Sequence, residues 1–135
     1  MEEPKTMWLF TTIGFFSVVQ KPGDAQLTVR ARVAADLDRL RERYLPTLSA
    51  TVANAGTDYP FRARVPRKAF SEAMARMGED IGYSNFKNEV AKVNGKGRAG
   101  VYSGVWTRLL ALEQSEPVVA KIASPAPAAG KGRDA

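Results

Sequence analysis

The sequence predicts an α+β fold, in which helices pack on one face of an antiparallel-dominated sheet. Three observations lead to this prediction. The apolar run at residues 7–19 is rich in aromatic and β-branched residues and is divided by Gly14, as is typical of a β-hairpin. Two later segments, VRARV (29–33) and FRARV (61–65), alternate apolar and charged residues with the period of a half-buried strand. Elsewhere, apolar residues recur at helical spacing.

The predicted strands cover residues 8–13, 15–20, 27–33, 48–53 and 59–65. The segment KPGD (21–24) supplies Pro-Gly turn chemistry between the second and third strands. Because side chains alternate along a strand, Leu27 and Val29 should face the core while Arg30 and Arg32 face the other side. In the last strand, the same alternation places Arg62 and Arg64 opposite the apolar face. That face is expected to carry Tyr59, Phe61, Ala63 and Val65.

Four helices are predicted. The first covers residues 33–44, with Asp36 facing water, and Pro46 ends it. The second follows Pro66 and is capped by Gly82, and Ser84 is expected to cap a short third helix. The last begins near residue 101 and has an apolar stripe of Val101, Val105, Leu109 and Leu112. The predicted order is β-β-β-α-β-β-α-α-α, which suggests a variant of the ferredoxin-like fold.

The chain has 135 residues, enough for about one domain. We expect a single α+β domain over residues 1–115, followed by a disordered low-complexity tail at 116–135 that is rich in Ala, Pro, Gly and Lys. The net charge is +6, and the tail accounts for only one of these surplus charges. The basic character therefore belongs to the folded part and favours polyanionic partners.

The absence of cysteine and histidine restricts the chemistry. It excludes disulfides, thiolate metal sites, and Ser-His-Asp or Cys-His catalysis. Acidic neighbours on the predicted helices do not face each other, so they do not form a carboxylate pair by themselves. We therefore expect no cofactor, no metal site and no enzymatic activity.

The apolar run at residues 7–19 also has the length of a signal-peptide core. Its N-terminal flank, MEEPKT, is net acidic, and QKPGDAQ after it offers no small-x-small cleavage site. The flanks therefore favour a buried strand pair in a cytosolic protein that does not interact with membranes.

The two arginine-bearing segments suggest a binding face. If their strands lie in one sheet, packing of the apolar side forces all four arginines onto the other side, where like charges on neighbouring strands repel. Three kinds of anionic partner could offset this repulsion. Acidic side chains of the chain itself could pair with the arginines, and the candidates are Asp24, Glu72, Glu79, Asp80 and Glu89. The guanidiniums could instead bind phosphates while an aromatic side chain stacks on a base, and the candidates for stacking are Trp8, Phe10 and Tyr59. An acidic protein surface could also bind there.

Two segments nearer the C-terminus add weaker candidates. In YSNFKNE (83–89), capping and burial leave Tyr83, Asn85 and Lys87 available for a binding role. The segment GKGRAG (95–100) matches GxGxxG, but no strand precedes it, so a dinucleotide site is not expected. A flexible interhelical turn explains it, or an anion site in which Lys96 or Arg98 meets a phosphate at the helix N-terminus.

The stretches WLFTTIGFFSVV (8–19), DYPFRARV (58–65), YSNFKNEV (83–90) and VYSGVW (101–106) carry a family resemblance. They resemble a family of small uncharacterised bacterial proteins, recorded as hypothetical, over residues 7–112. The resemblance implies no activity, ligand or catalytic residue. The glycine-rich NGKGRAG segment departs from the family's pattern and leaves its helix-to-helix geometry open at that point.

Two functional hypotheses follow from these features. The first is a non-enzymatic module that binds nucleic acid, or a phosphorylated or nucleotide ligand, through the arginine-rich sheet face. The alternative is a small interaction protein, for example an accessory subunit or a phage-derived inhibitor, that docks on an acidic partner surface. A homodimer formed by edge pairing of the small sheet also remains open.

Overall fold

The computed structural model describes residues 6–56 and 58–115, and it confirms the α+β class and the order of elements. Within these residues there are four strands: β1 (Thr6–Thr11), β2 (Gly14–Val19), β3 (Gln26–Ala31) and β4 (Phe61–Pro66). The helices in the same part of the chain are α1 (Ala34–Arg43), α2 (Arg67–Glu79), α3 (Phe86–Asn94), α4 (Lys96–Leu109) and α5 (Ala111–Ser115). The tail predicted at 116–135 lies outside the described residues.

The strands form one antiparallel sheet in the order β1-β2-β3-β4. Each strand therefore pairs with its neighbour in the chain. A ferredoxin-like sheet instead has a split βαβ arrangement. The suggestion of a ferredoxin-like variant is therefore wrong at the level of strand order, because consecutive strands pair directly with no other strand inserted between them.

The N-terminal hairpin turns at Thr12 and Ile13, and Gly14 is the first residue of β2, where it pairs with Thr11. Thr11 holds this turn, because its hydroxyl donates to Gly14 O (2.7 Å) and accepts from the backbone N–H of Ile13 (3.2 Å). Gly14, which was predicted to divide the two strands, therefore belongs to β2 and not to the turn.

The predicted strand at 48–53 is reduced to a single bridge. Val52 pairs with Arg62 in both directions, with N–H···O distances of 2.8 Å and 3.0 Å, and the N–H of Ser49 donates to Arg64 O. This segment therefore follows the outer edge of β4 without forming a regular ladder. It leaves β1 as the sheet edge without a neighbouring strand among the described residues.

The core lies between the sheet and α1 and α2. Strands β2, β3 and β4 supply one buried apolar face, and the helices supply the side chains opposite it. The buried members are Phe16, Val18, Leu27, Val29, Ala31, Ala63 and Val65 from the strands, and Leu37, Leu40, Phe70 and Ala73 from the helices. Burial of this face explains why the charged residues of β3 and β4 lie on the opposite face of the sheet.

Asp36 was predicted to face water, and this prediction is wrong. It is 1% exposed, and its Oδ2 accepts a hydrogen bond from the N–H of Phe15 (3.0 Å). Its Oδ1 pairs with Arg39 (2.8 Å), whose Nε also donates to Ile13 O. A Cβ placed on Gly14 would lie 2.5 Å from Asp36 Cγ, so only glycine leaves room for this carboxylate. Asp36 thus joins α1 to the start of β2.

The chain divides into two compact units, one ending at Ile81 and the other beginning at Gly82. The N-terminal unit contains the sheet with α1 and α2, and the C-terminal unit contains α3, α4 and α5. The single domain expected over residues 1–115 stays a prediction.

The helices of the C-terminal unit correct two predictions, the cap of α3 and the flexible loop before α4. Asn85, rather than Ser84, caps α3, since its side chain accepts from the N–H of Asn88. The segment predicted as a flexible loop is largely helical, because α4 begins at Lys96 immediately after Gly95 (φ +100°). The apolar stripe of the last helix is exposed, with Val101 65% and Leu109 52% accessible.

Within residues 6–56 and 58–115, no helix is long and apolar enough to cross a membrane.

Candidate functional site: the arginine face

The two arginine-bearing strands lie side by side, as predicted. In the β3–β4 register, Arg30 is opposite Arg62 and Thr28 is opposite Arg64, so these arginines share one face of the sheet. The side that carries Arg30, Arg62 and Arg64 is called the arginine face below. The central geometric prediction from the sequence is therefore confirmed for these three residues.

A single row of paired residues crosses the arginine face from edge to edge. Trp8 pairs with Ser17, Ser17 with Arg30, and Arg30 with Arg62. Because neighbouring strands are about 4.8 Å apart, the backbone of this row spans about 14 Å. An indole therefore lies at one end and two guanidinium side chains at the other.

Arg32 reaches the same region from outside the strand, since β3 ends at Ala31. Its Nη1 donates to Asp58 O (2.8 Å), and its guanidinium carbon lies 4.7 Å from the centre of the Tyr59 ring. The residue is exposed. Arg32 thus adds a fourth, accessible cation to the face, although it is not a strand residue.

Tyr59 does not lie where the alternation predicted. It precedes β4, which begins at Phe61, and its ring lies on the arginine face, 4.6 Å from the guanidinium carbon of Arg30. It also approaches Phe15, with ring centres 6.4 Å apart, and is only 4% exposed. Stacking of two guanidiniums on one ring offsets part of their mutual repulsion. Tyr59 is therefore a support for the arginines, and its buried ring does not offer a surface on which a base could stack.

Arg30 lies at the centre of this arrangement. Its Nη2 donates to Ser17 Oγ (2.7 Å), and Ser17 is fully buried. Its Nε is also buried and has no hydrogen-bond partner among the described residues. In the same part of the chain, neither Arg30 nor Arg32 has a carboxylate at ion-pair distance.

Arg62 and Arg64 are each paired with an aspartate. Arg64 makes a two-pronged contact with Asp24, at 2.7 Å and 3.1 Å, and Asp24 was among the predicted compensating acids. Arg62 lies 3.6 Å from Asp58 and donates through Nε to Tyr59 O. A Cβ on Gly56 would overlap the Arg62 guanidinium, so the neighbouring loop fits closely around it. Two of the four positive charges are thus offset within the unit, and two are not.

The Asp24–Arg64 pair shifts both titrations in the direction expected for an ion pair. The hydrogen bond from Arg64 lowers the pKa of Asp24 below its ordinary value, with help from the N–H of Gln26, and the bond to Asp24 raises the pKa of Arg64. Because the pKa of Asp24 is lower in the folded state than in the unfolded state, the ion pair contributes fully to folding stability above about pH 4. This contribution is lost as the pH falls through the lowered pKa of Asp24. Asp24 is therefore ionised at neutral pH.

The aromatic end of the face is accessible. Trp8 is 63% exposed and contacts Phe15 edge-on, with ring centres 5.9 Å apart. Phe10 stacks on Phe15 at 4.5 Å and is half-buried. Of the three predicted stacking residues, Trp8 is thus the one with most of its surface open to a ligand.

The other predicted site residues lie in the C-terminal unit, and most have a structural role there. Asn85 caps α3, Lys87 Nζ lies 5.4 Å from the Trp106 ring centre, and Arg98 lies over Tyr102 at 5.9 Å. Burial, followed by the nearby charge of Glu89, raises the pKa of Tyr83. Lys96 is exposed at the first turn of α4. A binding role for these residues stays a prediction.

Sequence reasoning missed Asp58, which contributes to the arginine face through both its carboxylate and its backbone carbonyl. Its position four residues before Arg62 was a weak signal, because i,i+4 neighbours are expected to meet on a helix and not in an extended segment.

Within residues 6–56 and 58–115, no cluster of three or more acidic side chains could hold a metal ion. Comparisons with protein-family models, curated proteins and solved structures find no match to this chain.

Proposed function

We propose that the protein is a non-enzymatic module that binds single-stranded nucleic acid, or a smaller phosphorylated ligand of the same chemistry, on the arginine face. The observation that carries the proposal is the row Trp8–Ser17–Arg30–Arg62. It combines an exposed indole with guanidiniums on one surface. Single-strand binding sites typically use this combination, because cations hold the phosphates while an aromatic ring stacks on a base.

The charge balance of the face supports an anionic ligand. Arg30 and Arg32 have no carboxylate partner in the described residues, and both are held in place by Tyr59. Prepositioned guanidiniums lose less conformational freedom when they bind phosphate oxygens. Exposure of Arg32, Arg64 and Trp8 provides the contact surface, while Arg30 and Arg62 lie deeper.

A stacked base favours a single strand over a duplex, since bases in a duplex are already stacked on each other. The cytosol, which is the compartment expected from the sequence, contains such ligands. The proposal predicts binding to short single-stranded RNA or DNA, with weaker binding to a duplex of equal length.

The test is a fluorescence anisotropy titration of labelled single strands, duplexes and nucleotides at several salt concentrations. If two to four phosphates are neutralised, log K should fall by about 1.4 to 3 per tenfold increase in salt. No binding at low salt, or binding without salt dependence, would rule out the arginine face as a phosphate site.

Replacing Asp24 with asparagine should increase the affinity. Asp24 competes with a ligand phosphate for the Arg64 guanidinium, so wild type must break this ion pair when it binds, and removing the Asp24 charge removes that cost. Because exposed ion pairs are weak, the affinity should rise about two- to fivefold. Asparagine Oδ1 can still accept from the N–H of Gln26, and the ion pair is exposed, so the fold should be retained.

Asp38→Asn is the matched control for Asp24→Asn, because Asp38 is an exposed acid paired with Arg41 on α1. It changes the net charge equally, but Arg41 is not on the arginine face, so the affinity should stay close to that of wild type. Equal gains in affinity for both variants would show that only net charge matters.

A further inference from the structure

The first strand, β1, forms an open edge of the sheet. No strand lies beyond it among residues 6–56 and 58–115, while the opposite edge is followed by the segment around Val52. Natural proteins usually protect such an edge with charged residues, proline or a bulge. Strand β1 has none of these, because its sequence is TMWLFT and each of its residues pairs one-to-one with a residue of β2. The edge is therefore able to accept another strand.

The hydrogen bonds of the sheet determine which backbone groups of β1 point outward. In an antiparallel sheet, opposite residues alternate between pairs that exchange two hydrogen bonds and pairs that exchange none. Val52 and Arg62 exchange both bonds, so the N–H and C=O of Arg62 point away from β3. Arg30, opposite Arg62, must then bond to Ser17, whose backbone groups point away from β1. The N–H and C=O of Trp8, opposite Ser17, therefore point to the open edge.

A contact elsewhere in the sheet supports this assignment. Phe15 lies two residues before Ser17 on β2, so its N–H should also point away from β1. It donates to Asp36 Oδ2, an acceptor outside β1. On β1, Thr6 lies two residues before Trp8 and its backbone groups have the same outward direction. Both residues are exposed, so their N–H and C=O groups are positioned to pair with an added strand.

Apolar side chains are exposed on both faces of β1. Trp8 lies on the arginine face and is 63% exposed, while Met7 lies on the opposite face and is 42% exposed. Leu9 shares the face of Met7 and is half-buried. A strand paired with β1 would cover both faces at once, so the partner strand must itself have apolar side chains on both faces.

A second copy of β1 meets this requirement. Antiparallel pairing about a two-fold axis at Trp8 keeps both arginine faces on one side, because residues an even number of positions apart share a face. On that side, Trp8 lies opposite Trp8 of the partner subunit, and Thr6 lies opposite Phe10 of the partner subunit. On the other side, Met7 lies opposite Leu9 of the partner subunit. Aromatic, apolar and β-branched pairs of this kind stabilise neighbouring strands.

The direction of the backbone groups also selects this register. A two-fold axis at Trp8 places outward-pointing residues of β1 opposite each other along the whole stretch from Thr6 to Phe10. An axis at Leu9 leaves Thr6 without an opposite residue in the partner's β1. The pairing also ends at two copies, because each copy uses the edge that is open in its described residues and leaves no second such edge.

Electrostatic repulsion between the copies is small in this arrangement. Strand β1 carries no charged residue. Arg30 and Arg30 of the partner subunit are separated by five strand spacings, or about 24 Å. This distance exceeds the Debye length of about 8 Å at physiological ionic strength, so salt largely screens the repulsion between the two arginine faces.

We propose that two copies of this chain form a dimer through antiparallel pairing of β1, centred on Trp8. The dimer joins the two arginine faces into one surface, with two indoles at its centre and guanidiniums toward both ends. The proposal depends on the geometry of the sheet edge and not on nucleic-acid binding, so its test uses the protein alone.

The test is sedimentation velocity of the full chain from about 1 to 100 μM, the range in which a micromolar dimer dissociates. Wild type should approach twice the monomer mass with increasing concentration. Met7→Glu should raise the dissociation constant at least about tenfold, because it places a carboxylate opposite an apolar side chain of the partner. Since Met7 is already exposed, circular dichroism should show an unchanged fold.

Ile81→Glu is the matched control, since Ile81 is 60% exposed, lies outside β1 and undergoes the same change in charge. It should dimerise like wild type. A wild-type chain that is monomeric throughout the range, or a Met7→Glu variant that dimerises as tightly as wild type, would overturn the proposal. A monomer in which the amide of Trp8 resists hydrogen exchange would also overturn it, because the edge would then be covered within one chain.

A mixture of two variants tests the register. Met7→Glu and Leu9→Lys should each dimerise weakly alone. An equimolar mixture should form heterodimers, because the new carboxylate of one chain then faces the new ammonium group of the other, while the second Met7–Leu9 pair keeps its natural residues. A mixture that associates no better than the separate variants would contradict the register centred on Trp8.

Discussion

Replacing Gly14 with alanine is expected to lower the free energy of unfolding of the N-terminal unit by about 3 kcal/mol. The added Cβ would lie 2.5 Å from Asp36 Cγ and 2.8 Å from its Oδ2. The carboxylate would have to move, and the N–H of Phe15 would lose its acceptor. Urea unfolding, followed by Trp8 fluorescence in a Trp106→Phe background, would measure the loss in this unit.

Gly78→Ala is the control for this prediction. Nothing lies within 4 Å of a Cβ at Gly78, which is in α2, so alanine should stabilise the helix by about 0.5–1 kcal/mol. The Gly14→Ala and Asp36→Ala changes should be strongly non-additive, because removing the carboxylate also removes the overlap. An unfolding midpoint of Gly14→Ala equal to that of wild type would contradict the position of Asp36 between α1 and β2.

Replacing both Arg32 and Arg64 with glutamine is expected to weaken single-strand binding at least tenfold at low salt, because two phosphate contacts are lost. The slope of log K against log salt should become shallower by about 1.4 for the same reason. Both side chains are exposed, so the core should remain intact. Anisotropy titrations of wild type and the double variant in parallel would measure the difference.

The control is a double variant with the same change in net charge, Arg43→Gln with Lys68→Gln. Both residues are exposed and lie on α1 and α2, away from the row of paired residues that crosses the sheet. Its salt dependence should equal that of wild type. If the two double variants lose affinity equally, binding is a property of the whole basic surface and not of the arginine face.

The strands of the arginine face could be predicted from sequence because alternation alone fixes which side chains share a face. Arg30, Arg62 and Arg64 alternate with buried residues, and burial of one face determines the other. The same rule failed at Tyr59, where alternation was extended through Pro60. Proline has no N–H for a ladder, and β4 begins only after it, so the position of Tyr59 depends on the loop.

Interactions between distant residues could not be predicted from local patterns. Asp36 occupies a helix position that looks solvent-facing, yet its partner is the N–H of Phe15, 21 residues earlier in the chain. Asp24 was a plausible partner for the arginines because acids near a basic face are expected to compensate it, but its choice of Arg64 depends on the position of the turn after β2.

Periodicity identified the apolar side of the last helix without indicating whether another element covers it. Val101, Leu109 and Leu112 share a side as predicted, but they are exposed. Helix α3 instead packs through Phe86 against Tyr102, an aromatic contact that a count of apolar positions does not anticipate. Amphipathicity therefore predicts that a surface needs a partner, and it does not identify the partner.

The binding role of the arginine face is tested most directly by a ¹H–¹⁵N correlation titration of the full chain with a short single-stranded oligonucleotide. The indole N–H signals of Trp8 and Trp106 report on the two units separately, and arginine Nε–H signals report on the guanidiniums. Trp8 and the arginine-face signals should shift together in a saturable manner, while Trp106 stays unchanged. Shifts at Trp106 with Trp8 unaffected, or no shifts at low salt, would contradict the proposed function.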